Sequence, residues 1–184
     1  MTARWLEQIR WQPVLLRLLA LVGLAVSSAL VADDVFGVGT FCGANDPCAD
    51  VAASAYGHVL GVPLAAVGLA GFGLFLVVSL IPGRWAAAVV RLMAAVAGLA
   101  GVGLLFIQLA LLRQVCPYCL VADLSAVGLA LVALVRPLPA DRPAWWAVQV
   151  FGWLWAGLAA GLAPLFCNAA KCAASLSEAT SESE

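Results

Sequence analysis

Five long apolar runs constrain this chain more than anything else in its sequence: about Val14–Val31, Val59–Ile81, Trp85–Leu112, Cys119–Val135 and Trp145–Phe166. A helix that crosses a bilayer needs about 20 mostly apolar residues, and each run comes close to that length. With 65% hydrophobic and 10% charged residues, the chain falls far below the roughly one quarter of charged residues found in soluble domains. The expected fold class is therefore an all-α integral membrane protein, with four or five transmembrane helices. The net charge of −1 says nothing about nucleic acid, but the sequence has no basic cluster or nucleic-acid motif, and no nucleic-acid partner is expected.

Two prolines sit where helices tolerate them. Pro63 falls in the first turn of the second run and Pro117 opens the fourth, positions whose N–H has no helical partner anyway. Gly68, Gly71, Gly73, Gly98, Gly101 and Gly103 are small residues that let membrane helices approach closely. Neither a repeat nor a linker divides the chain. Residues 1–184 read as one membrane domain, with a core bundle at about 13–135, a fifth span at about 145–166 and a short tail at 167–184.

Basic residues at span ends set orientation. Arg4, Arg10, Arg17, Arg84, Arg91, Arg136 and Arg142 fall on one side; the other holds Arg113, Lys171, Asp33, Asp34, Asp46, Asp50 and the Ser-Glu tail. The N-terminus is expected in the cytoplasm and the C-terminus outside, with Trp5, Trp11, Trp85, Trp145 and Trp146 as a cytoplasmic aromatic belt. A rival reading makes the first run a signal peptide cleaved near "SSALVADD", although the run exceeds a typical signal core.

On that topology all six cysteines lie at the outer face, the compartment in which bacterial disulfides form and persist. Cys42 and Cys48 occupy the loop after the first run, Cys116 and Cys119 start the fourth helix, and Cys167 and Cys172 follow the fifth. Cys116 stands at a helix N-cap position, and both a helix N-terminus and a C-x-x-C spacing favour thiolate. Cys119 lies one turn further in, about 4.5 Å deeper. Asp123 shares nearly the same helix face, and an acid at that depth is costly unless it faces an interior cavity. The alternatives are an inert packing pair and a snorkelling interfacial aspartate. Gly43, Asn45 and the Asp46-Pro47 step let Cys42 and Cys48 curl toward each other. They form either a structural staple or a relay that passes electrons inward by thiol–disulfide exchange.

These residues resemble the vitamin K epoxide reductase family in its bacterial branch. The resemblance runs over roughly residues 10–135 and rests on several features in fixed order: Cys42, Cys48, Ser54, Tyr56-Gly57, a short half-helix, Gly61-Val62-Pro63, and Cys116 with Cys119. It implies a four-helix transmembrane bundle around a quinone site, plus a fifth transmembrane helix. Cys119 would reduce the quinone, Cys116 would be attacked by a loop thiol, and Cys42 and Cys48 would shuttle electrons from a thioredoxin-like partner. Ser54, Cys119 and Asp123 would form the quinone-binding set, with a Ser54 hydroxyl bonded only to backbone as the alternative. The acceptor would be menaquinone or ubiquinone, with no metal. The implied activity is a thiol-disulfide:quinone oxidoreductase of the bacterial plasma membrane that generates disulfides for oxidative protein folding.

The chain departs from the family pattern in three places. It stops nineteen residues beyond Leu165, where many bacterial members continue into a fused thioredoxin-like domain, so a separate periplasmic thioredoxin-fold (DsbA-like) protein is expected as partner. Asp123 stands where the vertebrate enzymes have a Tyr, and no Asn lies in any span, so plain quinone reduction is expected rather than epoxide reduction. Cys167 and Cys172, in "FCNAAKCAA", form either a stapled tail or a third relay pair. On a helix they would point about 140° apart, so pairing needs an unwound turn. His58 is the single histidine and makes a poor zinc set with scattered cysteines, which favours an interfacial polar role. Two rivals remain. DsbB-type oxidases carry C-x-x-C in their first outer loop, and soft-metal (Hg or Cu) uptake proteins use paired thiolates but need a cysteine path that this sequence lacks in its cytoplasmic half.

Overall fold

A computed structural model describes residues 11–36, 51, 54, 56–59, 61–135 and 152–162. Helix α1 spans Trp11–Phe36. A two-stranded antiparallel hairpin follows, with β1 (His58–Val59) paired to β2 (Val62–Pro63). Next come α2 (Leu64–Leu80), α3 (Arg84–Phe106), a π-helical continuation of α3 over Ile107–Leu112, α4 (Pro117–Val135) and α5 (Gly152–Leu162). The protein is an all-α integral membrane protein. Among the described residues, three helical segments, Gln12–Val35, Arg84–Leu112 and Pro117–Val135, are long and apolar enough to cross a membrane, and Leu64–Leu80 and Gly152–Leu162 are shorter apolar helices.

Helices α1 to α4 close into a ring, with α1 on α2, α2 on α3, α3 on α4 and α4 on α1. Leu16, Ala20, Leu24, Phe72, Phe75, Leu76, Val90, Ala94, Ala126, Leu129 and Ala133 fill its centre. The faces are legible in α3. Val90, Ala94, Gly98 and Gly101 recur every three to four residues on the buried side, and Leu92, Val96, Leu99, Val102 and Phe106 recur likewise on the exposed side. In a soluble protein such a stripe would be a liability; here it is the surface that lipid covers.

Polar contacts mark which helix ends lie together. The Gln12 Nε2 donates to the Val132 carbonyl at 3.0 Å, tying the start of α1 to the end of α4. Arg17 donates to the Ser79 carbonyl at 3.2 Å and lies 5.7 Å from the centre of the Trp153 ring, which joins the end of α2 and the start of α5 to the same end. Further along, the Ser28 hydroxyl donates to the Ala25 carbonyl at 2.9 Å and the Ala160 carbonyl at 3.2 Å. α5 therefore runs parallel to α1, as an up-and-down arrangement of five helices requires.

The structure corrects three expectations. The second run does not become helix at Val59; its first residues form the hairpin, and α2 begins at Leu64. The same hairpin replaces the half-helix that the resemblance implied between Tyr56-Gly57 and Pro63. Gly61 is the reason. Its φ of +81° suits the third position of a type II turn, which folds Val62 back onto Val59. Of the six glycines expected at close approaches, Gly71 and Gly103 have nothing near them, and Gly73 is in ordinary contact at 3.6 Å. Gly101 carries the tightest backbone approach of this group, since a Cβ there would lie 2.8 Å from the Asp123 carbonyl oxygen.

Gly101→Val forces α3 and α4 apart, and overpacking of this kind costs about 1–3 kcal/mol. Its unfolding midpoint in detergent should fall clearly below that of wild type. Gly103→Ala, with nothing within 4 Å, should leave it unchanged.

Candidate functional site

Opposite the Arg17 end, Cys116 caps the first turn of α4. Pro117 brings no N–H of its own and starts the helix. The Leu120 N–H donates to the Cys116 carbonyl at 2.9 Å, and the Cys119 N–H donates to the Cys116 sulfur at 3.2 Å. A sulfur thus takes the role that a Ser or Asp oxygen plays at most N-caps. The N-terminal end of the helix dipole favours negative charge there. Cys116 is wholly buried among Leu30, Val51, Tyr118 and Cys119, while Cys119 is half-buried. The burial order is the reverse of what depth alone suggested: the first thiol of the pair is the covered one.

One turn beyond Cys119, the Asp123 side chain is buried, 6% exposed. Its partner across the bundle is Gln108, 4% exposed, whose Nε2 donates to Asp123 Oδ2 at 2.8 Å. Gln108 stands seven residues after Gly101, two helical turns, and so faces α4 as Gly101 does. It also lies within the π-helical stretch, a geometry frequent at functional sites. Arg113 ends that stretch in a left-handed conformation, φ 51°. The Gln108 backbone carbonyl accepts from the N–H groups of Arg113 and of Gln114, the latter at 3.3 Å. The Gln108 Oε1 is buried without a hydrogen-bond partner.

Ser54 belongs to the same end, because Val51 packs on Cys116 and the Ser54 hydroxyl donates to the Val51 carbonyl at 2.7 Å. A hydroxyl so engaged has spent its one proton and keeps acceptor capacity. His58 is exposed on β1. The structure therefore gathers Cys116, Cys119 and Asp123 as the sequence suggested, with Ser54 on the adjoining segment. Cys42, Cys48, Cys167 and Cys172 lie outside the described residues.

Gln108 was missed by sequence reasoning. A lone amide in the run "LLFIQLALL" was its signal, since polar side chains inside a membrane are costly and tend to be functional. This end of the bundle thus gathers a capped thiol, a carboxyl one turn beyond Cys119 and a buried amide oxygen without a hydrogen-bond partner.

Residues 14–135, about two thirds of the chain, match the vitamin K epoxide reductase family. Members of that family are helical membrane oxidoreductases that work, in general, between thiol–disulfide pairs and quinones. The match covers α1 through α4 and ends where α4 ends, so α5 lies beyond it. With the bundle, the capped thiol pair and the matched segment in agreement, the chain belongs to the vitamin K epoxide reductase family.

Proposed function

We propose that this protein is a quinone-dependent thiol–disulfide oxidoreductase that sends electrons from an extracytoplasmic thioredoxin-fold (DsbA-like) protein through Cys42 and Cys48 to Cys116 and Cys119, and from there to menaquinone or ubiquinone. The observation that carries the reading is the Cys116 sulfur held at the α4 N-terminus by the Cys119 N–H at 3.2 Å, within the segment that matches the family.

The exchanges balance step by step. A thiolate of the reduced partner attacks the Cys42–Cys48 disulfide, and the partner leaves as its own disulfide with one loop dithiol formed. A loop thiolate then attacks Cys116 in a Cys116–Cys119 disulfide and releases Cys119 as thiolate; the second loop thiol attacks the resulting mixed disulfide, re-forms Cys42–Cys48 and frees Cys116 as a thiol. When the Cys116 and Cys119 thiols re-form their S–S bond, they give up two electrons and two protons, which together convert one quinone into one quinol. Asp123 is the residue suited to pass a proton, since a carboxyl can release and regain one while an amide does not. With Asp123 in place of a phenol, the acceptor is a quinone rather than an epoxide.

Chain length favours Cys48 as the attacking loop thiol. Val51 touches Cys116, and Cys48 is three residues from Val51, within about 10 Å even for a fully extended chain. Cys42 is nine residues away. The proposed setting is a bacterial plasma membrane with the cysteine end outward, and the product is an oxidised partner for protein folding.

Three outcomes are expected. Cys119→Ala abolishes quinone reduction by a reduced thioredoxin-fold donor, followed by quinone absorbance; retained turnover would sink the proposal. In Cys119→Ser protein a mixed disulfide between Cys48 and Cys116 accumulates, seen by mass spectrometry of trapped peptides. It persists when Cys42 is also replaced by Ser and disappears when Cys48 is. Replacing both Cys167 and Cys172 by Ser leaves partner oxidation unchanged if the tail pair is a staple, whereas slower oxidation would assign it to the relay.

A further inference from the structure

Nothing in the thiol exchange explains why a glutamine with an unmet oxygen is buried beside Asp123. The Gln108 side chain is 4% exposed and its Nε2 donates to Asp123 Oδ2 at 2.8 Å. Its Oε1 is buried with no hydrogen-bond partner. With the proton that Asp123 delivers carried on Oδ1, Oδ2 remains an acceptor, and turning the amide over would set Oε1 against it, acceptor against acceptor. Asp123 thus fixes which way the amide points and leaves Oε1 to some other donor. Two serine hydroxyls among the described residues of this end are already spent, since Ser54 donates to the Val51 carbonyl at 2.7 Å and Ser125 donates to the Val121 carbonyl at 2.8 Å.

The missing partner must be a donor in an apolar setting, and the two redox forms of the acceptor differ in that property. A quinone ring offers only carbonyl acceptors. Its reduced form carries two hydroxyl groups that donate. The geometry points to Gln108 as a binding residue for the quinol: Oε1 accepts a hydroxyl hydrogen of the reduced ring, while Nε2 holds Asp123 in place to deliver the proton. This deepens the thiol–quinone reading and rests on it.

The chemistry closes. Cys116 and Cys119 lose two electrons and two protons in forming their disulfide. Asp123 hands one proton to a ring oxygen and is reprotonated by one thiol, so it ends as it began, and the proton of the other thiol goes to the second ring oxygen. The new hydroxyl then has an acceptor waiting, in a site where an unmet amide oxygen is otherwise costly. A site that prefers the reduced form makes the bound acceptor a stronger oxidant. For a two-electron couple, a tenfold preference is worth about 30 mV, all of it in the direction of disulfide formation.

Binding separates this role from a merely structural one. Oxidised protein is titrated with a short-tail benzoquinone or naphthoquinone, and reduced protein with the corresponding quinol, so that no net reaction occurs in either case. Gln108→Met keeps the side-chain length and removes the acceptor. Its quinol Kd should rise about five- to tenfold, as loss of one hydrogen bond predicts, while the quinone Kd changes little. Equal weakening of both forms, or no change in either, overturns the inference and leaves the thiol–quinone reading intact. Wild-type protein that binds neither probe defeats that reading and the inference together. Should Gln108→Met fail to fold, infrared difference spectra of wild-type protein carrying 13C-labelled glutamine decide the matter. Conversion of bound quinone to quinol should shift a side-chain carbonyl band to lower frequency, and the absence of such a shift overturns the proposal.

Discussion

The close approach of α3 and α4 at Gly101 is the contact on which the thiol end of the bundle depends. A side chain at that position would meet the Asp123 carbonyl oxygen at 2.8 Å, so the two backbones come together only because glycine is there. Once they do, the Cα–Cβ bond of Asp123 tilts toward the N-terminus of α4, and its carboxyl reaches back toward Gln108, two turns beyond Gly101 on α3. Hydrocarbon offers no water to either side chain. The aspartate has to find its partner inside the protein, and the position of Gly101 decides which partner that is.

The cysteine pair obeys a related constraint. A helix start leaves N–H groups without helical partners, and here the sulfur of Cys116 takes one of them. That bond fixes the sulfur against the end of α4, where Leu30 and Val51 cover it. A bulky protein cannot touch a wholly buried sulfur. The segment bearing Val51 already does, which gives the proposed division between an outer donor and an inner relay a steric basis.

Much of this was legible in the sequence, and what was not had physical causes. Apolar runs and the positions of Pro63 and Pro117 gave the helices, because in a membrane length and hydropathy dominate. Cys116 as an N-cap followed from Pro117 alone. The β1–β2 hairpin was missed because Val59, Leu60 and Val62 read as apolar helix. What stops the helix there is the left-handed backbone of Gly61, a property of one residue within an apolar run. The open surroundings of Gly71 and Gly103 were hidden for a different reason: composition shows that a residue is small, never which face it occupies. Gln108 stands out little in the sequence because an amide does not titrate, and its weight comes from pairing with an acid fifteen residues later.

Protons, more than electrons, distinguish the polar groups at this end. The Ser54 hydroxyl gives its hydrogen to the Val51 carbonyl, and the Gln108 amide holds its hydrogens covalently and gives one only as a bond to Asp123. Of these three groups, Asp123 is the one that on the proposed chemistry releases a proton to a ring oxygen and recovers one from a thiol. A phenol at the same place could donate a hydrogen bond, yet it would exchange its proton far less readily near neutral pH. On the proposed chemistry the acid at this position is therefore no imperfect copy of a phenol. It suits a site that must deliver a proton with every pair of electrons, and the amide beside it holds the carboxyl in place between turnovers.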